Sequence, residues 1–155
     1  MREKGGRRLF QVLTKYLHEL PQGRYGRWVL DRTHDGSAQQ PIELPFVDYT
    51  EAVDAFIIDV FQFAKEHPEL GLDDYRVILA EHHIKPGVKS MAEAEVSGLD
   101  GRCVLALLVG AVRAERLCDG ALLYLLRRGC VQRWLGRLEE IEMPVSSIDT
   151  REEKD

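Results

Sequence analysis

A chain of 155 residues with 45% hydrophobic, 8% aromatic and 30% charged side chains has the make-up of a globular protein, which excludes collagen-like, low-complexity and wholly disordered classes. Its length suits one domain that buries roughly 70% of the surface its unfolded chain exposes. A net charge of −5 argues against a general nucleic-acid binder, because neutralising phosphates needs a concentrated basic surface.

Residues 1–8 hold four basic side chains against one acidic, but no apolar stretch follows of the kind a secretory signal needs. From about Gly6 to Leu20, the residues Leu9, Val12, Leu13, Tyr16, Leu17 and Leu20 recur at helical spacing, and Pro21 with Gly23 ends the pattern. Between Gly23 and Pro45 the pattern changes. Pro41, Pro45, the turn signal Asp35-Gly36 and the short runs Trp28 to Asp31 and Ile42 to Leu44 predict a hairpin or irregular cover near residues 27–45.

Asp48 with Glu51 three residues later has the form of a capping box, opening a helix that runs to about His67. Its stripe is Val53, Phe56, Ile57, Val60, Phe61 and Ala64. Asp73 to His83 predicts a further helix closed by Pro86-Gly87, and residues 90–102 read as a connector in which Ser97 or Asp100 caps the next element. The helix from about Leu99 to Leu117 is apolar on nearly every side in its first half, which predicts a central buried helix. Two more follow, Asp119 to Arg128 and Val131 to Ile141. The last 17 residues, from Glu139, carry seven acidic against two basic side chains, so residues 143–155 are expected to be a disordered acidic tail. The fold class expected is mainly α, a single compact helical domain over residues 1–142 with about six helices around a central apolar helix.

The most unusual stretch is AVRAERLCDGALL, residues 111–123. Directly after the apolar run VLALLVG it places Arg113, Glu115, Arg116 and Asp119 within seven residues. At about 100° per residue, Arg116, Asp119 and Glu115 fall in the sector of Leu105, Leu108 and Val112. Charges on an apolar face must be paired, because an unpaired one costs several kcal/mol. Asp119 at i+3 is within reach of Arg116, and Asp54, Asp59 or another carboxylate from a facing helix could serve Arg113. Such a quartet is either a salt-bridge network that sets helix packing or a polar pocket with guanidinium groups for an anion and carboxylates for proton transfer.

Other constellations are weaker. His82 and His83 are adjacent and diverge on a helix, HExxH is absent, and His18, His34 and His67 are isolated, so no metal is implied. DRTHDG carries Asp31 and Asp35 but not the ligand spacing of an EF-hand loop. Cys103, Cys118 and Cys130 form no CxxC pair and fit reduced thiols, with Cys118 read as a buried small apolar side chain. No phosphate loop, GxGxxG or GxSxG occurs, so no cofactor is implied. The longest apolar run, Cys103 to Val112, is ten residues, half of what a membrane span requires. A cytoplasmic setting is therefore expected. The last two helices could form a helix-turn-helix with Arg127, Arg128, Arg133 and Arg137 toward phosphate, but Glu139, Glu140 and Glu142 follow at once and would repel DNA.

RYGRWVLDRTHDGSAQQPIELPFVDY from Arg24 to Tyr49, HPELGLDDY from His67 to Tyr75, and LDGRCVLALLVGAVRAERLCDGALL from Leu99 to Leu123, followed by the Trp134 helix, resemble the bacterial domain of unknown function 6508 family over most of residues 10–142. The resemblance implies a bacterial cytosolic source and one compact domain, and it assigns no catalytic role to any residue. It also couples two polar regions, so Asp31, Asp48 and Tyr49 are expected to face Arg113, Glu115, Arg116 and Asp119 across one cleft.

Three functions fit these residues. The first is a non-enzymatic binding or regulatory module that uses the polar cleft or another interface to hold a protein or a small polar ligand, with self-association left open. The second is a small enzyme acting on a polar or anionic substrate, with Glu115 or Asp119 as acid or base. The third is DNA binding, which the acidic balance disfavours.

Overall fold

The computed structural model describes residues 8–20 and 23–143. Most of the basic N-terminus and, beyond Met143, the expected acidic tail lie outside the described residues. The chain is mainly helical with one small antiparallel hairpin, as its periodicities predict.

Two short helices, α1 (Gln11–Thr14) and α2 (Tyr16–Glu19), stand where one was expected, divided at Lys15. Leu13, Tyr16 and Leu20 enter the core, whereas Leu9 and Val12 of the same stripe remain exposed. Strands β1 (Gly26–Val29) and β2 (Phe46–Tyr49) pair with Gly26 opposite Tyr49, Arg27 opposite Asp48, Trp28 opposite Val47 and Val29 opposite Phe46. The pairing is shifted from the extended runs read from the sequence. Pro45 has no N–H to give a ladder, so pairing begins after it, and the residues between the strands are folded by the carboxylates of Asp31 and Asp35 instead.

Helix α3 (Glu51–Glu66) is capped by Thr50, whose Oγ1 accepts from the Val53 amide at 3.4 Å. This corrects the assignment of the cap to Asp48, which is a strand residue. Its buried face is Val53, Phe56, Val60 and Phe63, with Ile57, Phe61 and Ala64 partly covered. Short 3₁₀ turns at Pro68–Leu70 and Leu72–Asp74 lead into α4 (Tyr75–Glu81). The connector contains α5 (Val88–Ala92).

Helix α6 (Gly101–Leu117) is the hub. Asp100 caps it, accepting from the Cys103 amide at 2.9 Å, and every residue from Cys103 to Val112 is buried. Each leucine so buried contributes roughly 1.5–3 kcal/mol. Helices α3, α4 and α5, together with α7 (Ala121–Arg127) and α8 (Cys130–Glu142), all pack on it. Gly110 allows a close approach at mid-helix, since a Cβ there would lie 3.0 Å from Met91 Sδ and from the Tyr75 ring.

The expected helix Asp119–Arg128 starts only at Ala121. Helix α6 ends at Leu117, and Cys118 is extended. Asp119 is thus outside both helices, and its projection onto α6 does not hold. Cys118 is exposed rather than buried, because the chain has left the core there.

A two-stranded hairpin is marginal by itself, and this one is anchored on the turn between α6 and α7. Gly120 has φ +94°, and a Cβ on it would come within 2.3 Å of Trp28 Cζ2. The indole therefore rests where only glycine leaves room. Gly120→Ala should destabilise the protein by about 2–4 kcal/mol, from left-handed strain plus the clash. Chemical denaturation checks this, together with a change in Trp28 fluorescence.

Candidate functional site

The seven residues expected to share one cleft divide among separate settings. Tyr49 and Glu115 do meet. The Tyr49 hydroxyl donates to Glu115 Oε1 at 2.8 Å and accepts from the Leu123 amide at 2.9 Å. Glu115 also accepts from the Gly120 amide, at 3.1 Å to each carboxylate oxygen, and from the Leu122 amide at 2.9 Å.

The reason is the start of α7. The first four N–H groups of a helix have no partner within it, and Gly120 at the cap position offers no side chain. A carboxylate from the preceding helix takes that place, where the helix dipole also favours negative charge. Burial pushes the Tyr49 hydroxyl above its ordinary titration range, and its bond to Glu115 and the charges of Glu115 and Asp119 add to this, against the opposing Leu123 amide. Tyr49 is thus held as a neutral donor.

The other two carboxylates of the hairpin region face elsewhere. Asp48 sits across from Arg27, 3.9 Å away on the outer side of the strands. Asp31 closes its own loop, accepting from the amides of Thr33, His34 and Glu43 at 3.0, 3.1 and 2.7 Å and contacting His34 Nδ1 at 2.8 Å. The Glu43 amide leads these bonds in holding the Asp31 carboxyl far below the usual carboxylate range. Both residues are corrected from cleft to local structure. No residue periodicity could have paired them, because Asp31 binds backbone and Asp48 binds its cross-strand neighbour.

The arginines of α6 are placed by helix depth. Arg113, half-buried, donates to Asp73 Oδ1 at 2.9 Å. Its partner is thus neither Asp54 nor Asp59 but a residue of the 3₁₀ turn leading into α4. The Nε of Arg113 is enclosed without an acceptor. Arg116, one turn nearer the end, lies over the Phe61 ring at 5.2 Å and forms no ion pair with Asp119 among the described residues. Phe61 therefore gains a cationic cover.

Arg113 and Arg116 also line a groove of about 610 Å³ with Asp73, Asp74, Arg76 and Leu117. Arg76 itself lies against the Tyr75 ring at 5.6 Å. Sequence reasoning missed Arg76, Asp73 and Asp74 as site residues; the only available signal was the alternation of charge and aromatic in DDYR, which carries no spacing of its own. The groove holds three guanidinium groups and two carboxylates. Once Arg113 and Asp73 cancel, one cation is in excess.

Chemically, this arrangement can hold an anion better than it can move a proton. A general base needs an oxygen aimed at substrate, and both Glu115 oxygens already accept backbone donors. Asp119 is exposed on the turn. Cys103 is buried, which pushes its thiol up to about 11 and makes it a poor nucleophile. Among the described residues no group of three or more His, Cys, Asp or Glu side chains is placed to hold a metal, and no described helix is long and apolar enough to cross a membrane. In the expected helix-turn-helix, Arg133 donates to the Ala92 carbonyl at 3.0 Å and Arg137 to the Leu99 carbonyl at 3.0 Å. Both tie α8 to the connector before α6.

The chain matches no family model, no curated protein and no solved structure.

Glu115→Ala leaves two amides and the Tyr49 hydroxyl without their acceptor and should cost about 3 kcal/mol, against about 1–2 for Tyr49→Phe. A double-mutant cycle by urea denaturation should give clear coupling between the two. The Asp31 carboxyl, depressed in the folded state, contributes stability that is present above the unfolded value and lost as pH falls through the folded one. Carboxyl-carbon NMR should therefore find Asp31 still ionised at about pH 3, where an ordinary aspartate is mostly protonated.

Proposed function

We propose that the protein is a non-enzymatic binding module of the bacterial cytosol that takes an anionic group in the groove between α4 and the C-terminal end of α6. We also propose, on the motifs of residues 24–49, 67–75 and 99–123, membership in the family of domain of unknown function 6508. One observation carries the binding function: Arg76 and Arg116 lie against aromatic rings and have no carboxylate partner among the described residues, while lining the same groove.

Stacking supports a guanidinium by its face and leaves the N–H fork at its edge free. A carboxylate or phosphate fits that fork with two parallel bonds. The groove volume lies within the range of small-molecule sites, roughly 300–1,000 Å³. Rigid aromatic support lowers the entropy lost when the arginines close on a ligand.

The catalytic alternative draws no support from the carboxylates, because Glu115 is consumed by the α7 cap and Asp119 faces no partner acid or base among the contacts of the described residues. DNA binding loses Arg133 and Arg137 to backbone carbonyls.

Titration with inorganic phosphate and with succinate, followed by the Nε–H NMR signals of arginine, should shift Arg76, Arg113 and Arg116 together. Arg116→Ala should weaken binding about 10-fold or more with the fold unchanged. Shifts scattered over all arginines, or binding indifferent to Arg116→Ala, would remove the groove from the functional account.

A further inference from the structure

The outer face of the hairpin is a second surface, separate from the arginine groove. Residues opposite one another in an antiparallel pair point to the same side. Gly26 with Tyr49 and Trp28 with Val47 share the side that meets the α6–α7 turn, where Trp28 lies against Gly120 yet stays 42% exposed. Arg27 with Asp48 and Val29 with Phe46 share the other side, where Val29 is only partly exposed beside the connecting loop. Phe46 is 45% exposed, and in the connecting segment before it Leu44 is 83% and Ile42 55% exposed. Exposed apolar residues clustered this way mark an interaction surface.

We propose that this face docks on the same face of a second copy of the chain, in a two-fold dimer whose axis runs parallel to the strands. The pairing of the strands favours that occupant. A rotation about such an axis sets β1 of one copy over β2 of the other, so each residue meets the copy of its own cross-strand neighbour. Arg27 then faces Asp48 of the second copy, twice by symmetry, and the small Val29 faces the large Phe46, also twice. Charge and size are complementary at both rows. Within one chain Arg27 and Asp48 are only loosely joined, at 3.9 Å with both side chains more than half exposed, so they can turn to a partner without breaking a tight bond. Face-to-face sheets pack about 10 Å apart with strands nearly aligned, which this axis allows. The interface is isologous and closes at two.

The contact area is small, because a stable interface needs about 20–30 residues from each side. The dimer should therefore be weak, with a dissociation constant on the order of micromolar.

Sedimentation of the full chain across about 1–500 μM should show a monomer–dimer equilibrium. Phe46→Glu should weaken it about 100-fold, with circular dichroism unchanged because the side chain is exposed. Arg27→Glu and Asp48→Arg should each weaken it about 10-fold. Mixed together, these two variants should recover a heterodimer, since the carboxylate introduced at position 27 of one copy faces the guanidinium introduced at position 48 of the other. That recovery separates the dimer from any role of the pair inside one chain, because each variant still carries its own like-charge pair. A wild type that stays monomeric at the highest concentration overturns the proposal and leaves the face to a different partner. A dimer unmoved by Phe46→Glu, or variants that fail to associate on mixing, overturns it as well.

Discussion

The fold depends at one corner on the half-buried carboxylate of Glu115. Helix α7 is seven residues long, too short to hold itself together in water, and the hairpin has four-residue strands with little stability alone. Both are fastened to α6 by the same side chain. Its oxygens take amides from the start of α7 and the hydroxyl of Tyr49 from the end of β2. Burying a charge is costly, and three donors with a favourable helix dipole are what offset that cost here. Trp28 adds a steric condition, because Gly120 must remain glycine for the indole to lie against the turn.

Much of the helical architecture is legible from periodicity. The continuous burial of Cys103–Val112 and the Asp100 cap follow from residues within one helix. So does the stripe of α3, where Val53, Phe56 and Val60 are buried and Ile57, Phe61 and Ala64 border the core. What local patterns hide is contact at long range with the backbone. The Tyr49 to Glu115 bond spans 66 residues, and Glu115's other partners are the main-chain amides of Gly120 and Leu122, which no side-chain pattern announces. Asp119 shows the opposite failure. A wheel extended past Leu117 assigns it a face, but the helix has already ended at an extended Cys118. The requirement that Glu115 be satisfied was readable; the identity of its donors depended on how the chain turned after α6.

Charges a few positions apart on α6 meet different fates because the core ends beneath them. Glu115 lies over the α7 start and is consumed. Arg113 reaches the 3₁₀ turn and pairs with Asp73. Arg116 extends past the last buried layer onto Phe61, which stabilises the cation without occupying its donors. Capacity for a ligand therefore stays with the arginines and leaves the carboxylates. This split leaves open donors on the arginines, whereas both oxygens of Glu115 are already occupied by donors from within the fold.

The two faces of the hairpin are linked through the same corner. Side chains alternate along a strand, so a slip of one residue would exchange the inner and outer sets entirely. The connecting loop cannot prevent such a slip through turn geometry alone, since it is long and folded mainly around Asp31. Register is instead fixed from inside, by Tyr49 on Glu115 and Trp28 on Gly120. These contacts determine that Arg27, Phe46 and Asp48, with the partly exposed Val29, lie on the side away from Gly120. A carboxylate that caps a helix on one side of the sheet thereby sets the chemistry displayed on the other.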